Sequence, residues 1–238
     1  AGINSWLMLK FTSMDCEKNE KTAKKEIKDF WNKKPCGTEG KLPEKPDFAY
    51  FEKIRKRRYL LEPFIFKFSD FADMKGKKVL EVGCGIGIDG VEISASGAEY
   101  TGVDASEKSL ELARRIFSFK NLAGNFLLAD AENLPFPDNS FDIVCSWGVI
   151  HHTPDIRKAI QEIYRVLKPD GRFIIMIYNR RSFVGLQLFI LHGLLKLNPF
   201  VSWKKLFAEH HESKYTQAFT DKEAKKLFQI FSGVSIRN

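Results

Sequence analysis

The chain has 238 residues, 44% hydrophobic and 29% charged, with a net charge of +8. That length suits one large domain with a core buried without disulfides, and the mixture excludes wholesale disorder, collagen and a coiled coil. The charge is uneven: residues 1–78 carry +7, residues 79–178 carry −5 and residues 179–238 carry +6. Basic flanks suit an anionic small molecule, a membrane surface or nucleic acid, and they also serve plain solubility.

Residues 1–13 precede Met14 and read as an extraneous leader outside the fold. Residues 14–75 read as a helical, aromatic-rich N-terminal cap. Its first helix spans about 14–34 and ends before Pro35-Cys36-Gly37. A second helical region, about 48–71, is interrupted at Pro63 and carries Arg55, Arg57 and Arg58 among its aromatics.

The pattern changes at Lys77, and residues 76–238 read as one α/β domain. Val79-Leu80-Glu81-Val82 is a strand, followed by Gly83-Cys84-Gly85-Ile86-Gly87 and a helix ending at Gly97. Further strands are expected at 100–103, 125–129, 141–146 and 172–178. Ser106 caps one intervening helix, and Thr153-Pro154 is expected to start another as N-cap and first residue. This alternation predicts a Rossmann-like, doubly wound, mainly parallel sheet with helices on both faces. Residues 233–238 read as a sixth strand, and the usual final antiparallel strand is missing from the pattern. The longest uncharged apolar run, 182–195, has 14 residues, too few for a bilayer span of roughly 20.

A glycine-rich turn between strand and helix lets backbone N–H groups approach a ligand. The dinucleotide fingerprint needs a third glycine where this chain has Ile88. The spacing is Gly83-x-Gly85-x-Gly87, with Glu81 two residues ahead and Asp104 ending the second strand. A carboxylate there can accept from both hydroxyls of a ribose. Asp130, ending the third strand, can accept from an exocyclic amine. Three acids at three consecutive strand ends converge on the crevice where open α/β sheets bind ligands.

The segments Val79 to Gly87, Thr101 to Asp104, Asp130 to Asp142 and Arg165 to Gly171 resemble class I S-adenosylmethionine-dependent methyltransferases of the quinone-biosynthesis-like, small-molecule branch. Phe30-Trp31-Asn32 with Pro35-Cys36-Gly37 resembles the N-terminal signature of a bacterial subgroup. The resemblance implies a methyl-transferring enzyme with S-adenosylmethionine as cofactor. It implies that Glu81 and the turn Gly83, Cys84, Gly85 and Gly87 contact the methionine end, and that Asp104 holds the ribose. Asp130 and Ala131 would read adenine, and Ser146 and Trp147 would line the sulfonium. Ala105, Ser106 and Glu132 join the cofactor-binding set as neighbours.

A general base is needed only where the acceptor must lose a proton. His151 and His152, after the fourth strand, are the candidates; adjacent side chains diverge, so no metal is expected at them. His210-His211-Glu212 is a second pair, read as decoration facing solvent or substrate. Tyr50, Phe51, Arg58 and Tyr59 are candidates for closing over the cofactor, and Tyr178, Asn179 and Arg180 for orienting substrate. Residues 180–215 are too long for a bare connection and too apolar for a one-sided helix. They are expected to form a helical lid packed on residues 48–68, with a dimer interface as the alternative. Acting on RNA is an alternative suggested by the charge, although Ser146-Trp147-Gly148-Val149 stands where base-amino methylation places an N-P-P-Y-type tetrapeptide. A non-catalytic cofactor-binding protein and a nicotinamide oxidoreductase are further alternatives.

Four cysteines, Cys16, Cys36, Cys84 and Cys145, lack C-x-x-C spacing, which points to a reducing, cytoplasmic compartment without a zinc knuckle. The expected partner is a small molecule rather than nucleic acid. No transmembrane segment is expected, peripheral membrane contact stays open, and both monomer and homodimer fit.

Overall fold

A computed structural model describes residues 13–38, 42–196, 198, 200–210 and 213–236, with side chains from residue 19 onward. Most of the expected leader, His211, Glu212 and the last two residues lie outside this set.

Three helices and one 3-10 turn precede the sheet: α1 (Ser13–Lys33), α2 (Phe48–Leu61), α3 (Phe64–Ser69) and Phe71–Met74. Asp47 caps α2 by accepting from the Tyr50 N–H, and Pro63 stands before α3, where its missing N–H costs nothing. The domain then runs β1 (Lys78–Val82), α4 (Ile88–Ala95), β2 (Glu99–Asp104), α5 (Glu107–Lys120), β3 (Asn125–Leu128) and β4 (Phe141–Trp147). After the 3-10 turn Ile150–His152 come α6 (Ile156–Val166) and β5 (Leu167–Met176). The remaining elements are α7 (Phe183–Phe189), a π-helical turn (Ile190–Leu194), α8 (Trp203–His210) and α9 (Asp221–Leu227).

The five strands pair in parallel in the order β3-β2-β1-β4-β5. Alternate residues face opposite sides. Val79, Ile143 and Cys145 join Val91, Ile116, Phe117 and, from α2, Phe51 and Ile54 in one core. Leu80, Val82 and Val144 join Ile156, Ile160, Ile163 and Phe228 in the other. Helices therefore cover both faces, as expected for this sheet. The strand order reverses between β1 and β4, so the crevice opens at their carboxyl ends.

Three details depart from the sequence reading. Helix α6 is capped by Asp155, which accepts from the Arg157 and Lys158 N–H groups. Thr153 does not serve because its hydroxyl donates to Ile150 O and closes the preceding 3-10 turn. The strand expected at 172–178 instead begins at Leu167, with a bulge in the ladder: Phe141 stands opposite Leu167 but Ile143 opposite Arg172, and Asp170 at φ +62° takes up the bend. Residues 233–236 are not a strand, so the expected sixth strand does not form within the described residues.

Candidate active site

A cavity of about 570 Å³ lies at the strand-order reversal. Glu81, Gly83, Cys84, Gly85, Asp104, Ala105, Asp130, Ala131 and Trp147 all line it. Gly83 (φ +77°), Gly85 (φ +52°) and Gly87 (φ +80°) hold the left-handed backbone that glycine permits. A Cβ on Gly83 would overlap the Val149 side chain, whereas one on Gly85 would meet nothing within 4 Å. Gly83 therefore serves packing, and Gly85 borders open cavity.

Asp104 fixes this loop from the end of β2. Its Oδ2 accepts from Gly85 N–H at 2.9 Å and its Oδ1 from Ser106 N–H at 2.8 Å. Burial pushes its pKa up, against these backbone donors. A carboxylate offers about four lone-pair sites, so both oxygens keep acceptor capacity. Glu81 is buried, and the Tyr100 hydroxyl donates to its Oε2 at 2.6 Å. Burial first, then the Asp89 carboxylate, push Glu81 up to about 8. Asp89, in the first turn of α4, is held by the Arg58 guanidinium (2.9 and 3.1 Å from Nε) and by the Tyr59 hydroxyl at 2.9 Å.

The cap supplies a wall that the sequence reading did not assign. Lys24, Ile27, Lys28 and Trp31 share one face of α1 at i, i+3, i+4 and i+7 and line the cavity. Lys24 Nζ lies 2.8 Å from both Asp130 Oδ2 and Glu132 Oε2 and 3.0 Å from Glu20. Burial pulls the Lys24 pKa down, but hydrogen bonds to Asp130, Glu132 and Glu20 outweigh it and raise it above the ordinary value. Ser106 Oγ donates to Asn32 Oδ1 at 2.8 Å, a second tie between α1 and the sheet. The spacing of Ile27 and Trp31 was the available signal, masked by the surrounding Lys24, Lys25 and Lys28.

Some expected residues lie elsewhere. Ser146 is buried, its hydroxyl bonded to Val82 O. Gly87 packs against Ala113, and Glu132 meets Asp155 N–H and Lys24. Phe51 is core, and Tyr50 borders a separate small cleft. Of the four residues expected to close over the cofactor, Arg58 alone lines the cavity. Tyr178 packs on His151 with ring centroids 4.1 Å apart, Asn179 bonds Asp221 at 3.2 Å, and Arg180 pairs with Glu223 at 3.0 Å. Tyr178 thus packs on the 3-10 turn, Asn179 and Arg180 tie the chain after β5 to α9, and none of the three lines the cavity. Helix α7 packs against α8, and residues 180–210 contribute nothing to the lining. The expected lid of 180–215 over 48–68 is therefore not formed: α1 covers the cavity, and its exposed Glu26 meets Lys214 at 2.9 Å.

The two histidines separate. His152 lines the cavity and meets the Trp31 ring edge-on at 5.5 Å, whereas His151 is buried away from it. His152 Nδ1 lies 2.9 Å from Ser213 Oγ and 3.0 Å from Thr216 Oγ1. The single Thr216 hydroxyl proton goes to Ser213 O at 2.6 Å, so toward Nδ1 that oxygen accepts. Thr216 Oγ1 thus suits an Nδ1–H donor, while Ser213 Oγ suits either tautomer; with the proton on Nδ1, the lone pair lies on Nε2.

Residues 80–175 match the family described as Methyltransferase domain. Residues 80–175 are a methyltransferase domain. This domain is 38% identical over 116 residues to the uncharacterized methyltransferase YcgJ of Bacillus subtilis strain 168, covering 48% of this chain and 46% of that protein. The YcgJ crystal structure superposes with a TM-score of 0.53 at 30% identity, over 68% of this chain and 64% of that one. A demethylmenaquinone methyltransferase of Symbiobacterium thermophilum is 40% identical over 54% of this chain and 50% of its own length. For a fatty-acid O-methyltransferase of Mycolicibacterium smegmatis the figures are 40%, 43% and 38%. The chain thus spans half or less of the curated relatives it matches.

The cofactor of class I methyltransferases is S-adenosylmethionine. The methyltransferase domain has the donor set for it: open space over Gly85, acceptor capacity on Asp104, and the buried Trp147 Nε1–H, which finds no acceptor among the described residues.

Proposed function

We propose that the protein transfers a methyl group from S-adenosylmethionine to a small, partly apolar molecule that loses a proton on methylation. What carries this reading is one cavity shared by Glu81, Asp104, Asp130 and Trp147, at or just past the strand ends, with Trp31 and His152. Its size is within the usual range for small-molecule sites, about 300–1,000 Å³. The relatives named for a quinone and a fatty acid support an acceptor with an apolar body.

When bound, the sulfonium supplies an activated methyl group. The chain's own task is then to position, dry and deprotonate. Asp104 would accept from the ribose hydroxyls while its backbone bonds keep it in place. Asp130 and Ala131 would face the adenine, with Lys24 holding the carboxylate from the cap. The Gly83–Gly87 turn and the Trp147 N–H would meet the methionine end. Indole and aliphatic walls at Trp31, Ile27 and Ile54 would exclude water and take an apolar acceptor.

His152 is the base in this scheme. Ser213 and Thr216 hold the imidazole through Nδ1, so Nε2 accepts the acceptor's proton as the methyl group arrives. His152→Ala should lower methyl transfer by about 10²-fold or more with cofactor affinity retained. His151→Ala should act through folding stability alone. The test is release of S-adenosylhomocysteine with a panel of quinols, phenols and fatty acids. Equal turnover by both variants and the parent would overturn the base assignment. Absence of turnover with every acceptor, despite cofactor binding, would favour a non-catalytic role.

A further inference from the structure

The segment between β5 and α9 is the least explained part of the molecule. From Arg180 to Ala208 it contains no acidic residue and five lysines and arginines. One side of it is a genuine small core: Gly185, Leu188, Leu206 and Phe207 are buried, and Phe189 stacks on Trp203 at 5.3 Å. The other side is apolar and uncovered. Phe183 is 81% exposed, Leu186 52%, Leu195 70% and Phe200 95%. Packing of α7 on α8 thus fixes the hairpin and leaves its largest side chains in water.

Large apolar side chains left this exposed within one short segment need an occupant and mark an interaction site. Its surroundings choose among occupants. Arg181, Lys196, Lys204 and Lys205 are exposed around it. Arg180 is already paired with Glu223, and Lys205 has only a distant acid, Glu209, at 3.9 Å. Exposed aromatic and leucine side chains in a segment with four exposed cations, one of them 3.9 Å from Glu209, match the acyl-headgroup boundary of an anionic bilayer. A second copy presenting the same face would bring these cations against one another. No helix among the described residues is long and apolar enough to cross a membrane, so the contact is one of lying on the surface.

We propose that residues 181–205 dock the protein on anionic lipid bilayers, with Phe183, Leu186, Leu195 and Phe200 entering the interface and the four cations meeting lipid phosphates. This goes beyond methyl transfer and does not depend on it. The hairpin also returns to the cavity wall, since Ser213 and Thr216 follow α8 and hold His152. An apolar acceptor dissolved in the bilayer would therefore be met beside the site.

The full chain should cosediment with phosphatidylcholine vesicles containing phosphatidylglycerol and stay in solution with phosphatidylcholine alone. The triple variant Phe183→Ser, Leu195→Ser, Phe200→Ser should lose at least tenfold of that binding. Lys196→Glu with Lys204→Glu and Lys205→Glu should do the same, and added salt should weaken the parent severalfold. None of these six residues lines the cavity, so circular dichroism and S-adenosylmethionine affinity should be unchanged. Failure of the parent to bind anionic vesicles would overturn the proposal. So would binding that survives both triple variants. Sedimentation velocity showing a dimer that the apolar triple variant dissolves, without vesicle binding, would reassign the face to self-association.

Discussion

Gly83 and Gly85 share one motif and one backbone region, yet their substitutions should separate. Gly83→Ala forces a side chain into Val149 on a strained backbone, at a cost of at least about 2 kcal/mol. Gly85→Val has free space, so the fold should lose only the left-handed penalty of about 1–2 kcal/mol. That side chain would enter the cavity where the proposed function puts the cofactor's methionine end. Thermal unfolding together with calorimetric binding checks the pair: Gly83→Ala should lower the unfolding temperature, and Gly85→Val should remove binding from a folded protein. Glu81 gives a pH signature. Its folded pKa, about 8, lies above the unfolded value near 4.5, so folding retains a proton that the unfolded chain releases. Stability from this group is full below about pH 4.5 and declines up to pH 8, at no more than about 1.4 kcal/mol per unit. Urea unfolding should show Glu81→Gln gaining on the parent across that window. A constant difference between the two would mean that Glu81 is ionised in the folded protein. That Glu81, Gly83, Gly85, Asp104 and Asp130 converge on one cavity was legible, because acids and glycines at strand ends have few other uses in this spacing. The added task of Asp104, bracing the loop through Gly85 and Ser106, needed coordinates.

At the scale of elements, the strands and sheet-covering helices were legible from short apolar runs ending in Asp or Gly. Helix α1 was not. Its apolar stripe is thin, and its partners Asp130 and Glu132 lie about a hundred residues downstream. Nor was the seating of α7 and α8. Apolar density showed that this segment needs cover, and the Phe189–Trp203 stack shows that it supplies part of that cover itself. The cap depends on the Lys24 contacts with Asp130, Glu132 and Glu20, together with the Ser106–Asn32 bond. Lys24→Ala should therefore release α1. Limited proteolysis within residues 13–38 should become severalfold faster, and bound S-adenosylmethionine should slow it less than in the parent. Unchanged cleavage would show that α1 is held by its apolar face alone.

For the whole molecule, the fold puts its chemistry where the order of a parallel sheet reverses, and the additions on either side of the domain divide the remaining work. The N-terminal cap closes the cavity through α1 and braces α4 through the Arg58–Asp89 pair. The insertion after β5 holds His152 through Ser213 and Thr216 and turns an apolar, cation-rimmed face outward. The proposed methyl transfer rests on the cavity being an S-adenosylmethionine site. Isothermal titration of the full chain with S-adenosylmethionine, and separately with NAD, tests that most directly. S-adenosylmethionine should bind one to one, and Asp104→Ala should weaken it by tenfold or more, since each lost charge-assisted hydrogen bond is worth about 1.5–3 kcal/mol. NAD should give no heat of binding. No binding of S-adenosylmethionine, or an affinity unchanged by Asp104→Ala, would contradict the account.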